Sequence, residues 1–211
     1  MASNNINGPG FSGPGDPPPV PATVAEVCDN HSVGVVITDS RDRVLLITRA
    51  TLPVGRAPIA GHRDDHGSVE DTARDEVAEE VQLTVTSLVR VVDGRWRTNA
   101  CRRQHGPEGL GHRWTIFLAT AAGEVRPDPA AASDAAWYTR AELRVLAGRT
   151  IAYATGALTA PQFAANPGLE PAWLAFVVEL GLIDNVDPAD LAATEILAST
   201  SPYTLPTARS R

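Results

Sequence analysis

The chain has 211 residues and a formal net charge of −7, which leaves room for one domain with extensions and not for two. With 43% apolar residues it can bury a core without a disulfide or metal staple. The acidic balance excludes a broad nucleic-acid surface, since phosphate backbones select basic patches, and allows only a small phosphate pocket lined by arginine. All 18 basic residues are Arg, the side chain that grips phosphate with two parallel N–H groups; a GC-rich genome would produce the same bias.

Residues 1–22 are dense in Gly, Pro and Asn, with Pro17, Pro18 and Pro19 in succession. Such a segment cannot bury apolar surface and is expected to be a disordered leader. Residues 200–211 read the same way, as a flexible tail. The run His31 to Thr38 is β-branched, the mark of a buried strand. The polar turn Asp39 to Asp42 and a second run, Arg43 to Arg49, follow, so these strands are expected to pair as a hairpin. After a loop holding Pro53, Gly55 and Pro58, Ser68 stands ready to cap a helix. Glu70 and Asp71 lie in its first turn, where the helix dipole favours acids. Val69, Ala73, Val77 and Val81 recur at helical spacing as a core-facing stripe. Leu83 to Val92 returns to strand composition, and Gly94 is expected to end it. Residues 95–101 and 112–120 read as further strands, separated by a polar loop with His105, Gly106, Gly109 and Gly111. Ala136 to Thr139 is a short strand leading into a helix over Arg140–Ala147. Pro171–Leu182 and Pro188–Ser199 read as helices opened by proline. The pattern predicts an α/β fold, a mixed sheet between helices in an α/β/α sandwich with a C-terminal helical extension.

Glu76, Glu79 and Glu80 stand at i, i+3 and i+4, so all three project from one helical face. Like charges at this spacing weaken a helix by roughly 0.2–0.5 kcal/mol per pair, and Asp75 adds a fourth acid. A hard divalent cation removes that repulsion, because Mg²⁺ takes oxygen ligands and sits between carboxylates and substrate phosphates. A solvated acidic face is the bland alternative. Arg49, Arg63 and Arg97, at strand and loop ends, are candidate phosphate contacts, and Arg102 and Arg103 lie in the same neighbourhood as Arg97. Trp96 and Trp114 could stack a base or simply pack. His62, His66, His105 and His112 read as polar loop residues rather than ligands. Cys28 and Cys101 fit the spacing of neither a zinc site nor a disulfide framework. They are expected to be reduced thiols of a cytoplasmic protein, with no secretory signal and no apolar run of the roughly 18 residues that a membrane span needs.

The segment Gly61 to Leu83 resembles the Nudix box. That pattern is Gly, five residues, Glu, seven residues, Arg-Glu, an aliphatic residue, any residue, Glu-Glu, any residue, Gly, aliphatic. Gly61, Glu76, Val77, Glu79, Glu80 and Leu83 match in register. Three positions depart: Gly67 stands for the isolated Glu, Asp75 for the Arg and Gln82 for the second Gly. Two strands precede the box, as in the family, and Ala136-Trp137 leading into a helix is similar to the family's later strand. The resemblance covers about residues 30–150; residues 151–199 are a helical addition without an assigned role.

The resemblance implies a Mg²⁺- or Mn²⁺-dependent hydrolase that cleaves a diphosphate linkage in a nucleoside diphosphate derivative. It implies metal ligation by Glu76, Glu79, Glu80 and the carbonyl of Ala60, and a base that is Glu79 or Glu76, with Glu108 as second choice. Asp64, Asp65 and His66 could supply substitute contacts to the metal. Gly67 and Asp75 stand where the family has an opposite-charge pair, so restoring Glu and Arg there together is expected to preserve folding and tighten metal binding. The segment Trp96 to Cys101 is similar to the reactive-cysteine stretch of isopentenyl-diphosphate isomerases, but it follows the box helix instead of opening the box. The departures favour one competing reading, a catalytically weak nucleotide-binding or regulatory protein; the Pro-rich leader permits another, an interaction domain. The expected partner is a small-molecule nucleotide or other diphosphate, with no extended nucleic acid and no membrane; a homodimer is compatible with the sequence.

Overall fold

The computed structural model describes residues 26–64 and 67–200; the expected leader and all but the first residue of the expected tail lie outside the described residues. Among the described residues, seven strands and five helices follow in the order β1 (His31–Ile37), β2 (Val44–Arg49), β3 (Arg56–Ala57), β4 (Ile59–His62), α1 (Val69–Val81), β5 (Thr84–Arg97), β6 (His112–Ala122), β7 (Ala132–Tyr138), α2 (Arg140–Ala154), α3 (Ala160–Ala165), α4 (Pro171–Glu179) and α5 (Pro188–Ser199). One sheet is mixed, in the order β4-β1-β6-β5, and a second is β3-β2-β7. β1 runs parallel to β6 and antiparallel to β4.

The residue alternation of the central strands explains the layers. Val33, Val35 and Ile37 of β1, with Leu45 and Ile47 of β2, pack against Ala73, Val77 and Val81 of α1. The intervening Val36, Val44 and Leu46 face the opposite way, into a core built with Leu143 and Leu146 of α2 and Trp173, Leu174 and Phe176 of α4. Strands apolar at successive positions need cover on both faces, and the α/β/α sandwich supplies it. The C-terminal helical segment is therefore the second layer of the sandwich. Gly34 lies directly under α4, where a Cβ would overlap the Trp173 ring. Residues 168–170 also dock along β3, with Arg56 N donating to Gly168 O at 2.8 Å and Glu170 N donating to Arg56 O at 2.8 Å.

The expected hairpin of β1 and β2 is reduced to its turn. The Asp39 carboxylate accepts from the N–H groups of Arg41 and Arg43, Thr38 and Val44 share one bridge, and the strands then part into different sheets. The continuous register of β1 with β6, from His31 opposite Arg113 to Ile37 opposite Ala119, takes the edge that β2 would have used. Gly94 does not end a strand either. It adopts φ +61° at a bulge between Val92 and Arg95, and β5 continues as one strand to Arg97 opposite His112.

The cap of α1 forms as the sequence predicts. Ser68 Oγ accepts from Asp71 N at 3.1 Å and the Asp71 carboxylate accepts from Ser68 N at 3.2 Å, a reciprocal capping box. The helix ends at Gln82, which takes the left-handed conformation at φ +57° and donates its N–H to Ala78 O. Only glycine adopts that conformation without strain.

Candidate active site

α1 projects Glu76, Glu79 and Glu80 into a cleft of about 420 Å³, lined also by Arg49 from the end of β2, Ala60 and Gly61 from β4, Asp128, and Glu170 and Trp173 from the C-terminal segment. Glu76 lies so close to β4 that a Cβ on Gly61 would overlap its carboxyl group, which is why that position needs glycine. Glu80 Oε2 accepts the Ala60 N–H at 3.4 Å. Burial pushes the Glu80 carboxyl up to about 7; Arg49 and the Ala60 N–H pull it back, while Glu79 and Asp128 push it further up. Glu79 is the most exposed of the three. Glu170 is fully buried, and burial raises its pKa against the pull of Arg49 and of the Ala172 and Trp173 N–H groups. Arg49 thus stands between two buried carboxyls. Its Nη2 reaches Thr51 Oγ1 and Leu52 O at 3.4 Å, and its Nε has no hydrogen-bond partner among the described residues.

The sequence profile of the NUDIX domain matches residues 30–156. The chain belongs to the Nudix family. The matched segment takes in the whole Glu-bearing helix, while Glu170 and Trp173 of the cleft lie beyond it. Among solved structures, a NUDIX-family hydrolase from Clostridium perfringens is 19% identical with a TM-score of 0.45, the alignment covering 55% of this chain and 85% of that one. A NUDIX hydrolase from Nitrosomonas europaea is 21% identical with a TM-score of 0.42, covering 55% and 76%. A MutT NUDIX hydrolase from Burkholderia pseudomallei is 20% identical with a TM-score of 0.43, covering 55% and 84%. No curated protein matches this chain. No helix among the described residues is long and apolar enough to cross a membrane.

The Nudix box departures have local explanations. Gln82 holds the left-handed cap that the family's second glycine would hold. Gly67, at φ +91°, leads into the Ser68 cap, and Asp75 is exposed on α1. The oxygen-only donor set suits a hard cation. A buried carboxyl whose ionised form is unfavourable is also where a divalent charge is compensated. The acidic residues present therefore fit Mg²⁺ or Mn²⁺.

Of the arginines expected to hold phosphate, the structure brings only Arg49 to the cleft. Arg63 instead donates from Nε to Gly67 O at 3.1 Å. Arg97 lies on the helical side, donating to Glu179 at 2.9 Å and Glu195 at 2.7 Å over the Phe176 ring, because β5 runs on past Gly94 and carries it there. Neither lines the cleft. Arg102 and Arg103 do, and Arg103 is bound to Asp64 at 2.8 Å. Glu108 does not line the cleft and is held by Arg113 at 2.8 Å, which keeps its carboxyl below the usual range. Asp65 and His66 lie outside the described residues. Trp114 is buried and donates to Asn99 Oδ1 at 3.3 Å, while Trp96 sits beneath Arg113. The residues that sequence reasoning did not place here are Asp128, Glu170, and a wall formed by His62, Cys101 and His112. Lone acids in loops carry no local pattern that would have found them.

Proposed function

We propose that this Nudix protein is a Mg²⁺- or Mn²⁺-dependent pyrophosphohydrolase that cleaves a diphosphate linkage in a nucleoside diphosphate derivative. The observation that carries the reading is the convergence of Glu76, Glu79 and Glu80 on one cleft, with the Glu80 carboxyl largely buried and Arg49 Nε beside it without a partner among the described residues. Glu76, Glu80 and Glu79, with the Ala60 carbonyl, would hold the cation. When bound, it neutralises charge on the phosphoryl oxygens and acidifies a water molecule. Glu79 is the exposed carboxylate of the set and takes the proton of the attacking water. Glu76, beside Gly61, and Glu80, hydrogen-bonded to the Ala60 N–H, are less exposed than Glu79 and serve as ligands. Arg49 grips a phosphoryl oxygen in a charge-assisted hydrogen bond.

A panel of nucleoside diphosphate derivatives incubated with Mg²⁺ or Mn²⁺, with products identified by mass, tests the reading. Metal-dependent release of two phosphate-bearing products, lost in Glu79→Gln, supports it. Gly67 and Asp75 favour a second reading, a nucleotide-binding regulatory protein. Nucleotide binding without turnover by any member of the panel would select it. A cytoplasmic location fits the free thiols of Cys28 and Cys101, and sedimentation of the full chain distinguishes monomer from homodimer.

A further inference from the structure

Four side chains from four separate segments meet at one edge of the sandwich. Cys28 precedes β1, His62 ends β4, Cys101 lies in the loop after β5, and His112 opens β6. One donor atom from each lies within 4.8 Å of all the others. Cys28 Sγ is 3.3 Å from His112 Nε2, and Cys101 Sγ is 3.4 Å from His62 Nε2. The two imidazoles meet edge to face, with centroids 5.2 Å apart. We propose that this is a structural zinc site, a closed Cys₂His₂ centre in the wall of the Glu-bearing cleft, with ligands separate from the Glu set.

Tetrahedral zinc places thiolate sulfur at about 2.3 Å and imidazole nitrogen at about 2.0–2.1 Å. The sulfur-to-nitrogen edges of such a tetrahedron are about 3.5 Å long, close to both distances found. Two separate thiol–imidazole hydrogen bonds would account for each pair, but they give no reason for both pairs to converge on one point.

The surroundings prepare the donors. Asn99 Oδ1 accepts from Trp114 Nε1 at 3.3 Å, and since an indole nitrogen can only donate, that oxygen is fixed as an acceptor. His112 Nδ1, 2.9 Å from the same oxygen, must then carry a proton. Its Nε2 is left with a bare lone pair aimed at the cluster. This is the orienting contact that metal-bound histidines characteristically make. Both sulfurs also accept backbone N–H groups from two residues further on, Asn30 N to Cys28 at 3.3 Å and Arg103 N to Cys101 at 3.4 Å, contacts that hold them in place. Two thiolates and Zn²⁺ sum to zero charge, which suits a site where Cys28 is 2% and His112 3% exposed.

All four positions are filled by protein, so the centre has no open site for substrate and its role is to hold structure. It would tie the segment before β1, the end of β4 and the loop bearing Asn99 to Arg103 into one unit. That unit is the wall of the cleft formed by His62, Cys101 and His112. The Glu set, with oxygen donors only, and this centre, with sulfur and nitrogen donors, select different metals.

The test uses the full chain purified under reducing conditions, without chelator, and analysed for metal by mass spectrometry. About one zinc per chain is expected, released by a thiol-blocking mercurial. Cobalt substitution should give the thiolate charge-transfer and intense visible bands of a tetrahedral site. Cys101→Ser, at the half-exposed ligand, should lose at least tenfold in zinc affinity and melt about 10 °C lower. Because that variant could fail for other reasons, His62→Gln is the second, with the same loss of zinc expected. Zinc absent from the native chain and not taken up at one equivalent, a cobalt complex without thiolate bands, zinc kept by both variants, or a native Cys28–Cys101 disulfide would each overturn the proposal.

Discussion

Replacing Glu80 with Gln should make the Mg²⁺-free protein more stable at alkaline pH. Glu80 is raised from 4.5 to about 7 in the fold, chiefly by burial. The folded chain therefore holds a proton that the unfolded chain has released. Stability from this group is full below pH 4.5 and is lost as pH rises through 7. Each pH unit of difference corresponds to about 1.36 kcal/mol, and the carboxyl keeps some contact with solvent, so we set the loss between pH 5 and pH 8 at about 2 kcal/mol. For a chain of this length that is about 4–8 °C of melting temperature. Glu80→Gln carries no ionisable group and should lack this part of the slope. Mg²⁺ at millimolar concentration should restore the wild type at pH 8 and leave the variant little changed. The assay is a series of thermal melts from pH 5 to pH 8 after dialysis into Mg²⁺-free buffer, a treatment that leaves a tightly held zinc in place. A wild-type slope equal to that of the variant would refute the claim that the Glu80 carboxyl is desolvated.

Gly61→Ala should fold, because a Glu76 side chain can swing away, but the displaced carboxyl should weaken Mg²⁺ binding at least tenfold, read by titration calorimetry. Gln82→Gly should stabilise the chain by about 1 kcal/mol, since it removes a left-handed non-glycine residue from the α1 cap; denaturant unfolding reads the gain, and no gain would show that the Gln82 side chain compensates. Gly34→Ala should lower stability by about 1–3 kcal/mol, because its Cβ meets the buried Trp173 ring and core overpacking is relieved only by moving α4; a thermal melt matching the wild type would show α4 to be loosely seated.

Legibility followed the range of the interactions. α1 was readable to its cap because Ser68, Asp71 and the Ala73, Val77, Val81 stripe act within a few residues of one another. The three glutamates were readable because helical spacing alone puts them on one face. β1 and β2 were readable as strands, but not as members of different sheets. Their partners were decided by the competition of β6 for the edge of β1, some eighty residues away in sequence. The helices after residue 151 were visible from their opening prolines, while their task was not, since Trp173 meets Gly34 only in the folded chain. Arg97 was misplaced by reading Gly94 as a stop instead of a bulge. The Cys₂His₂ cluster was illegible for the same reason in extreme form: its ligands come from four segments and match no local spacing, and only the sheet brings them together.

The family's isolated Glu and Arg are absent together at Gly67 and Asp75, and the sequence alone suggests that restoring both would tighten the metal site. The structure argues that the two changes are unequal. Arg at position 75 would face Asp71 and Glu79, one helical turn away on either side, and should add a few tenths of a kcal/mol from each pair. Glu at position 67 would occupy φ +91°, a conformation that disfavours L side chains by about 1–2 kcal/mol. Its Cβ would lie 3.3 Å from Asp71 Oδ2, the carboxylate that closes the α1 capping box, so a second negative charge would press on the helix cap. Asp75→Arg should therefore be neutral to slightly stabilising, and Gly67→Glu destabilising by about 1–3 kcal/mol. The double variant should fold, with a net loss and no tighter Mg²⁺ binding than Asp75→Arg alone. A double-mutant cycle reading both unfolding free energy and Mg²⁺ affinity decides the matter. If the double variant binds Mg²⁺ several-fold tighter than either single one, the introduced carboxylate reaches the metal, and the backbone at Gly67 is no barrier to it.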